Sequence, residues 1–133
     1  MTPTARSLAH LRKLGATAEV VERWIPQARK RKDLFGFIDI VALDGMPGTL
    51  GVQTTSAGNV SHRLEKIETA CRFAMERWLE AGNRIVIHGW AKRGPRGKRK
   101  VWTLTERVVD AASRGAEDAS SDERSVGARD ART

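Results

Sequence analysis

The sequence predicts an α/β domain with elements in the order αβββαββ and a mixed central sheet flanked by helices. Residues 37–43, Phe-Ile-Asp-Ile-Val-Ala-Leu, are a nearly continuous apolar run of the kind buried on both faces of a sheet. Turn residues join this run to a second strand-like stretch. A long apolar stripe at helical spacing then precedes two further strand-like stretches.

The first helix is expected over residues 3–14. Pro3 suits a first turn, Leu8, Leu11 and Leu14 recur at threefold spacing, and Gly15 suits the position after the last turn. Residues 17–25 are rich in β-branched and aromatic types and stop at Pro26, which predicts a strand. Residues 26–36 are expected to form a loop carrying Arg29, Lys30, Arg31 and Lys32 in succession. Asp44-Gly45 and Pro47-Gly48 supply turn chemistry between 37–43 and 49–55, so these two strands predict an antiparallel hairpin. Asn59 suits the N-cap of a helix over 59–81, whose Val60, Leu64, Ile67, Cys71, Ala74 and Trp78 alternate steps of four and three before Gly82 ends it. Residues 84–90 and 100–109 predict two more strands, linked through Gly94-Pro95 and Gly97. From Ala111 onward the residues are small or charged except Val126, so 111–133 is expected to be a disordered tail beyond a domain of residues 1–110.

A chain of 133 residues fits one domain with one modest core. Its 24 Lys and Arg against 16 Asp and Glu give a formal net charge of +8 and a pI of about 10.5, which favours a polyanionic partner. The excess lies before residue 111, because the last stretch sets Arg114, Arg124, Arg129 and Arg132 against Glu117, Asp118, Asp122, Glu123 and Asp130. Cys71 is the only cysteine, so no intrachain disulfide can form, and His10, His62 and His88 are too scattered in sequence to suggest a zinc site. No segment has the apolar core of a signal peptide or the length of a membrane span, and a cytoplasmic protein without membrane contact is expected.

Asp39 is the anomaly within the apolar run. An isolated buried carboxylate is costly unless it is paired or binds a metal. By period-two alternation Asp39 shares a face with Phe37 and Val41, and Gln53 shares one with Thr55, so a hairpin can bring Asp39, Gln53 and Thr55 together. The plainer readings are a carboxylate capped by backbone amides or paired with arginine, and ordinary strand polarity at Gln53 and Thr55.

In their order and spacing, Asp39-Ile40-Val41-Ala42 and Gln53-Thr54-Thr55 resemble the paired motifs of the PD-(D/E)XK nuclease superfamily, in particular its small Holliday-junction-resolvase-like members. The resemblance covers about residues 4–109. It implies a restriction-endonuclease-like fold and an endonuclease that hydrolyses DNA phosphodiesters with Mg²⁺ or Mn²⁺. In that family an acidic residue on the second strand and the first residue of a Glu-x-Lys pair on the third bind the ion, and the lysine positions or activates the attacking water. Asp39 takes the first place. Gln53 stands where the family has a carboxylate, and Thr55 where it has lysine.

Gln offers a hard cation its carbonyl oxygen but no charge. Two unit charges about 4 Å apart at an effective dielectric of about 20 interact by about 4 kcal/mol, so the missing charge weakens the expected metal site. Further ligands are expected from Asp33 and from Glu22 or Glu19, and the missing cation from Arg63 or Lys66 on the long helix. The family's resolvases act as dimers, which by analogy makes a homodimer an expectation.

Lys92, Arg93, Arg96, Lys98, Arg99 and Lys100 crowd one hairpin, and Arg29, Lys30, Arg31 and Lys32 crowd one loop. Such clusters contact phosphates, whereas nothing in the sequence encodes base readout; DNA that is branched or otherwise structured is the expected partner. Trp24, Trp90 and Trp102 on predicted strands and Trp78 on the helical stripe are expected in the core. The alternative to an endonuclease is a catalytically inactive nuclease-fold DNA-binding protein; a structural module with incidental charge is a third reading.

Overall fold

In the computed structural model, which describes residues 1–110, a five-stranded mixed sheet carries helices on both faces. Helix α1 (Pro3–Lys13) begins where the Thr2 hydroxyl oxygen accepts the Ala5 N–H at 3.1 Å, with Pro3 in its first turn. It is followed by β1 (Thr17–Val20), β2 (Arg23–Ile25), β3 (Lys30–Lys32), β4 (Ile40–Leu43) and β5 (Leu50–Ser56). A single 3-10 turn, Ala57–Asn59, leads into α2 (Val60–Glu68) and α3 (Arg72–Glu80), and β6 (Arg84–Arg93) and β7 (Val101–Val109) close the described chain.

The sheet order is β1-β4-β5-β6-β7. Its neighbours are antiparallel except β5 and β6, which are parallel because α2 and α3 form the crossover between them. Period-two alternation divides the core between two faces. Within the strands, Ile40, Ala42, Val52 and Val86 pack with Leu11 of α1, while Ile85 and Ile87 pack with Leu64 and Ile67 of α2 and Met75 of α3, joined by Phe37 and Ile38 from ahead of β4 where alternation does not hold. Covering both faces explains the nearly unbroken apolar composition of these strands.

Two glycines make close approaches possible. A Cβ at Gly48, in the turn between β4 and β5, would collide with the Gly82 carbonyl. One at Gly89, opposite Thr55 in the parallel ladder, would collide with Val60 and come within 3.0 Å of Ala57 Cα, so the start of α2 could not settle over β6.

The structure departs from the sequence expectations at several places. The stretch 17–25 is two strands, because the chain bends after Val20: the Asp39 carbonyl accepts the Val21 N–H at 2.8 Å, and β2 leaves the sheet. Within the expected loop, Lys30–Lys32 is a strand, paired antiparallel with β2 as a separate hairpin. The run 37–43 enters its ladder at Ile40, after a tight reversal in which Leu34 bridges Ile38 and Phe35 and Gly36 take positive φ of 56° and 87°.

The expected helix 59–81 breaks at Thr69. Its hydroxyl donates to the Glu65 carbonyl at 2.7 Å, and the Cys71 N–H reaches back five residues to Lys66 at 3.0 Å. The apolar stripe survives the break, since Leu64, Ile67, Cys71, Ala74 and Trp78 all pack on the same core. Only two tryptophans follow the core expectation: Trp90 is buried and Trp78 packs against the core, whereas Trp24 and Trp102 are exposed on arms that leave the three-layer body. The expected disordered tail, 111–133, lies outside the described residues. Among those described, no helix is long and apolar enough to cross a membrane.

Candidate metal centre and nucleic-acid interface

The C-terminal ends of β1, β5 and β6 and the N-terminal end of β4 meet at one end of the sheet. There the ladder no longer needs apolar side chains on both faces, and the polar residues of the chain's interior gather. Asp39, just before β4, is 3% exposed. One of its oxygens, Oδ2, accepts the Thr54 N–H at 2.8 Å, the Thr54 hydroxyl at 3.1 Å and the Gln53 side-chain N–H at 2.9 Å. Thr54 is held in turn by the Thr4 hydroxyl of α1 at 2.8 Å. Alternation alone turns Thr54 away from Asp39, and its main donor is a backbone N–H, so no sequence signal identifies this support.

Asp33, between β3 and β4, and Glu22, in the link between β1 and β2, complete a cluster. One carboxylate oxygen from each of Glu22, Asp33 and Asp39 lies within 4.8 Å of the other two. These residues line a cleft of about 250 Å³ together with Pro3, Thr4, Gln53, Thr54, Thr55, Ser56 and Arg63. Glu19, the other acidic candidate on the first strand, is exposed on β1 and is not part of the cluster.

The electrostatics are those of an acidic site short of positive charge. Burial pushes the Asp33 carboxyl up to about 6, with the neighbouring Asp39 adding to the shift, while Gln53 and Lys66 oppose it. Burial also raises Asp39, against the stabilisation its carboxylate receives from Asp33, Thr54 and Gln53. Gln53, 1% exposed, turns its amide nitrogen toward Asp39 and, at 3.4 Å, toward Asp33. Gln53 Oε1 is buried without a hydrogen-bond partner.

A hard divalent cation fits this donor set: three convergent carboxylates, all-oxygen ligands, and an amide whose oxygen and nitrogen exchange places by a rotation about one side-chain bond. The orphaned Oε1 is the sign that the present orientation leaves one of the amide's two polar atoms unsatisfied. Thr55 is buried at the cleft wall and brings no cation there. Arg63 lines the cleft, and Lys66, one turn further along α2, lines the adjoining basic cavity.

That cavity, about 760 Å³, is walled by Arg23, Lys30, Arg31, Lys32, Arg63 and Lys66 and shares Asp33 with the acidic cleft. Arg31 also reaches Glu22 at 3.6 Å, tying the β2–β3 arm to the carboxylate cluster. Arg29, at the tip of this arm, has a positive φ of 52° and is exposed. The second arm is the end of the β6–β7 ladder, which continues past Ser56 of β5 through Ala91, Lys92 and Arg93. Lys92, Arg93, Arg96, Lys98, Arg99 and Lys100 are all exposed on it. Because β5 and β6 run parallel, this arm projects from the end of the sheet that holds the cleft.

The comparisons with known proteins found no matching family model, no matching curated protein and no matching solved structure.

Proposed function

We propose that this protein is a divalent-metal-dependent DNA endonuclease of the PD-(D/E)XK kind, acting on branched or otherwise structured DNA. The observation that carries the reading is the convergence of Glu22, Asp33 and Asp39 around Gln53 at the sheet end from which both basic arms project. Mg²⁺ or Mn²⁺ would be held by the three carboxylates and by Gln53 Oε1 after rotation of its amide. When bound, the ion lowers the pKa of water and offsets the charge that develops on the phosphate during hydrolysis.

The chain's own residues divide the remaining work. Thr54 holds Asp39 in place through two hydrogen bonds to one of its oxygens, Oδ2. Arg63 supplies the cationic group of the cleft, in place of the lysine that the superfamily's pattern puts at Thr55. Lys66 opposes the rise in the Asp33 pKa from its place in the basic cavity. The arms carrying Arg29, Lys30, Arg31 and Lys32 and Lys92, Arg93, Arg96, Lys98 and Arg99 neutralise phosphates on either side. A homodimer that places two such sites on two strands belongs to the same proposal, by analogy with resolvases.

Two observations favour a second reading, a catalytically inactive nuclease-fold DNA-binding protein. The Gln53 amide N–H donates to Asp39 and Asp33, a role a cation would otherwise fill, and Thr55 is not a lysine. Incubation of branched, single-stranded and linear duplex DNA with the protein in Mg²⁺ or Mn²⁺ separates the two. Cleavage that disappears in Asp39→Asn is the expected result; retained binding with no cleavage by wild type or by Gln53→Glu would establish the second reading.

A further inference from the structure

Two of the four tryptophans contradict the rule that large aromatic side chains on strands serve the core. Trp24 is 53% exposed on β2, and Trp102 is 44% exposed on β7. Both sit on the arms, and neither belongs to the two cores. Each instead stands among cations. Trp24 faces Arg31 across the β2–β3 ladder, and Trp102 faces Lys92 across the β6–β7 ladder. The Arg6 guanidinium lies 3.6 Å from the centre of the Trp102 ring, and the Lys92 ammonium lies 5.6 Å from it.

Each indole also touches or pairs with a residue tied to an element that lines the acidic cleft. Arg31, the partner of Trp24, reaches Glu22, which lines the cleft. Arg6, over Trp102, lies two residues beyond Thr4, which lines the cleft from the side of α1. In the sheet order β1-β4-β5-β6-β7 the cleft lies at the ends of β4 and β5, with the β2–β3 arm of Trp24 continuing from the β1 edge and Trp102 on β7 at the other edge.

We infer that the two arms bind an unpaired DNA strand across the cleft by stacking its bases on Trp24 and Trp102. The inference rests on the nuclease reading and deepens it by naming the form of the substrate. Every base has a π-face, so stacking on indole needs no sequence, in keeping with arms that carry no base-reading pattern. In continuous duplex those faces are covered by neighbouring bases, so a stacking platform selects a splayed or single-stranded segment. The surrounding cations hold the phosphates of the same segment.

The test measures binding by fluorescence anisotropy in EDTA. The probes are a labelled oligothymidylate of about 15 nucleotides and a blunt duplex of the same length. Trp24→Ala and Trp102→Ala should each weaken oligothymidylate binding about tenfold and duplex binding less than about twofold. The dependence on salt should stay unchanged because no phosphate contact is removed. Trp24→Phe and Trp102→Phe should recover most of the loss, whereas Leu at either position should not. This Phe against Leu contrast decides the matter even if an alanine variant folds poorly by circular dichroism.

Equal losses on both DNA forms, no loss on either, Leu performing as well as Phe, or wild type that binds neither probe would overturn the inference. A ring-dependent preference for the unpaired strand in a protein that cleaves nothing leaves the inference standing and removes the nuclease reading. Cleavage with no preference dependent on either ring does the reverse.

Discussion

Two polar clusters interrupt the sheet's apolar interior, and they are built differently. Beneath α1, Ser7 is fully buried, its hydroxyl lies 2.9 Å from His88 Nδ1, and it accepts the Trp90 indole N–H at 2.9 Å. The His10 ring stands edge-on to both aromatic partners, at 5.9 and 6.1 Å. Burial drives the His88 pKa down, so its neutral form is favoured, although Glu106 pulls the other way from 3.2 Å on the neighbouring strand. Ser7 meets no open cleft. At the sheet end the Asp39 cluster has the opposite character: three acidic groups, raised pKa values for Asp33 and Asp39, an amide oxygen with no partner, and an opening to solvent. The first arrangement links Ser7, His88 and Trp90 by hydrogen bonds beneath a helix, while His88 Nε2, like Gln53 Oε1, has no hydrogen-bond partner and faces Glu106 at 3.2 Å. The second gathers three acidic groups at an opening, with Arg63 at the cleft wall, Arg31 against Glu22 and Lys66 near Asp33 as their counter-charges, and it is on this arrangement that the proposed cation site rests.

The largest expected effect tests the second cluster. Asp39→Asn should reduce metal-dependent cleavage by about a thousandfold in single-turnover assays while leaving DNA binding intact or slightly stronger. Gln53→Glu adds the charge absent from that strand, and the Kd for Mn²⁺ by calorimetry should tighten about tenfold or more. In EDTA the same variant should melt at lower temperature than wild type, because a fourth carboxylate then lacks its counter-charge.

The first cluster should respond through folding alone. Ser7→Ala strands the Trp90 N–H and the His88 nitrogen, at a cost of about 1–3 kcal/mol in urea denaturation, with Mn²⁺ affinity unchanged. A change in Mn²⁺ affinity as large as that of Asp39→Asn would erase the distinction between the clusters.

The smallest effect is in the pH dependence of the metal-free protein. With its pKa raised from 3.8 to about 6, Asp33 binds a proton more tightly folded than unfolded. Its stabilising contribution is therefore full below about pH 4 and is lost as the pH rises through about 6. For a half-buried carboxyl screened by solvent, the contribution is on the order of 1 kcal/mol. Asp33→Asn should flatten this part of the stability profile measured by urea denaturation.

Much of this arrangement is legible in the sequence because it follows from short-range periodicity. An acidic residue in a strand covered on both faces, opposite a polar pair on the next strand, is enough to place Asp39 beside Gln53. The stripe from Val60 to Trp78 likewise identifies its buried face despite the break at Thr69. The β2–β3 arm is not legible, since a run of four cations has the character of a solvated loop and its pairing depends on where Val21 bends away. The exposure of Trp24 and Trp102 is hidden for a related reason. Aromatic residues favour strands, but strand propensity does not say whether a second layer covers the strand. The Ser7–His88–Trp90 cluster joins residues more than eighty positions apart, a distance at which periodicity carries no information.

The most direct measurement of the central claim is Mn²⁺ binding followed by electron paramagnetic resonance, comparing wild type with Asp39→Asn without DNA. The cluster of Glu22, Asp33 and Asp39 predicts a saturable ion in the wild type that Asp39→Asn loses or binds far more weakly, with both proteins equally folded. Wild type that binds no Mn²⁺ at millimolar concentrations, or a variant that binds it as tightly as wild type, would contradict the account.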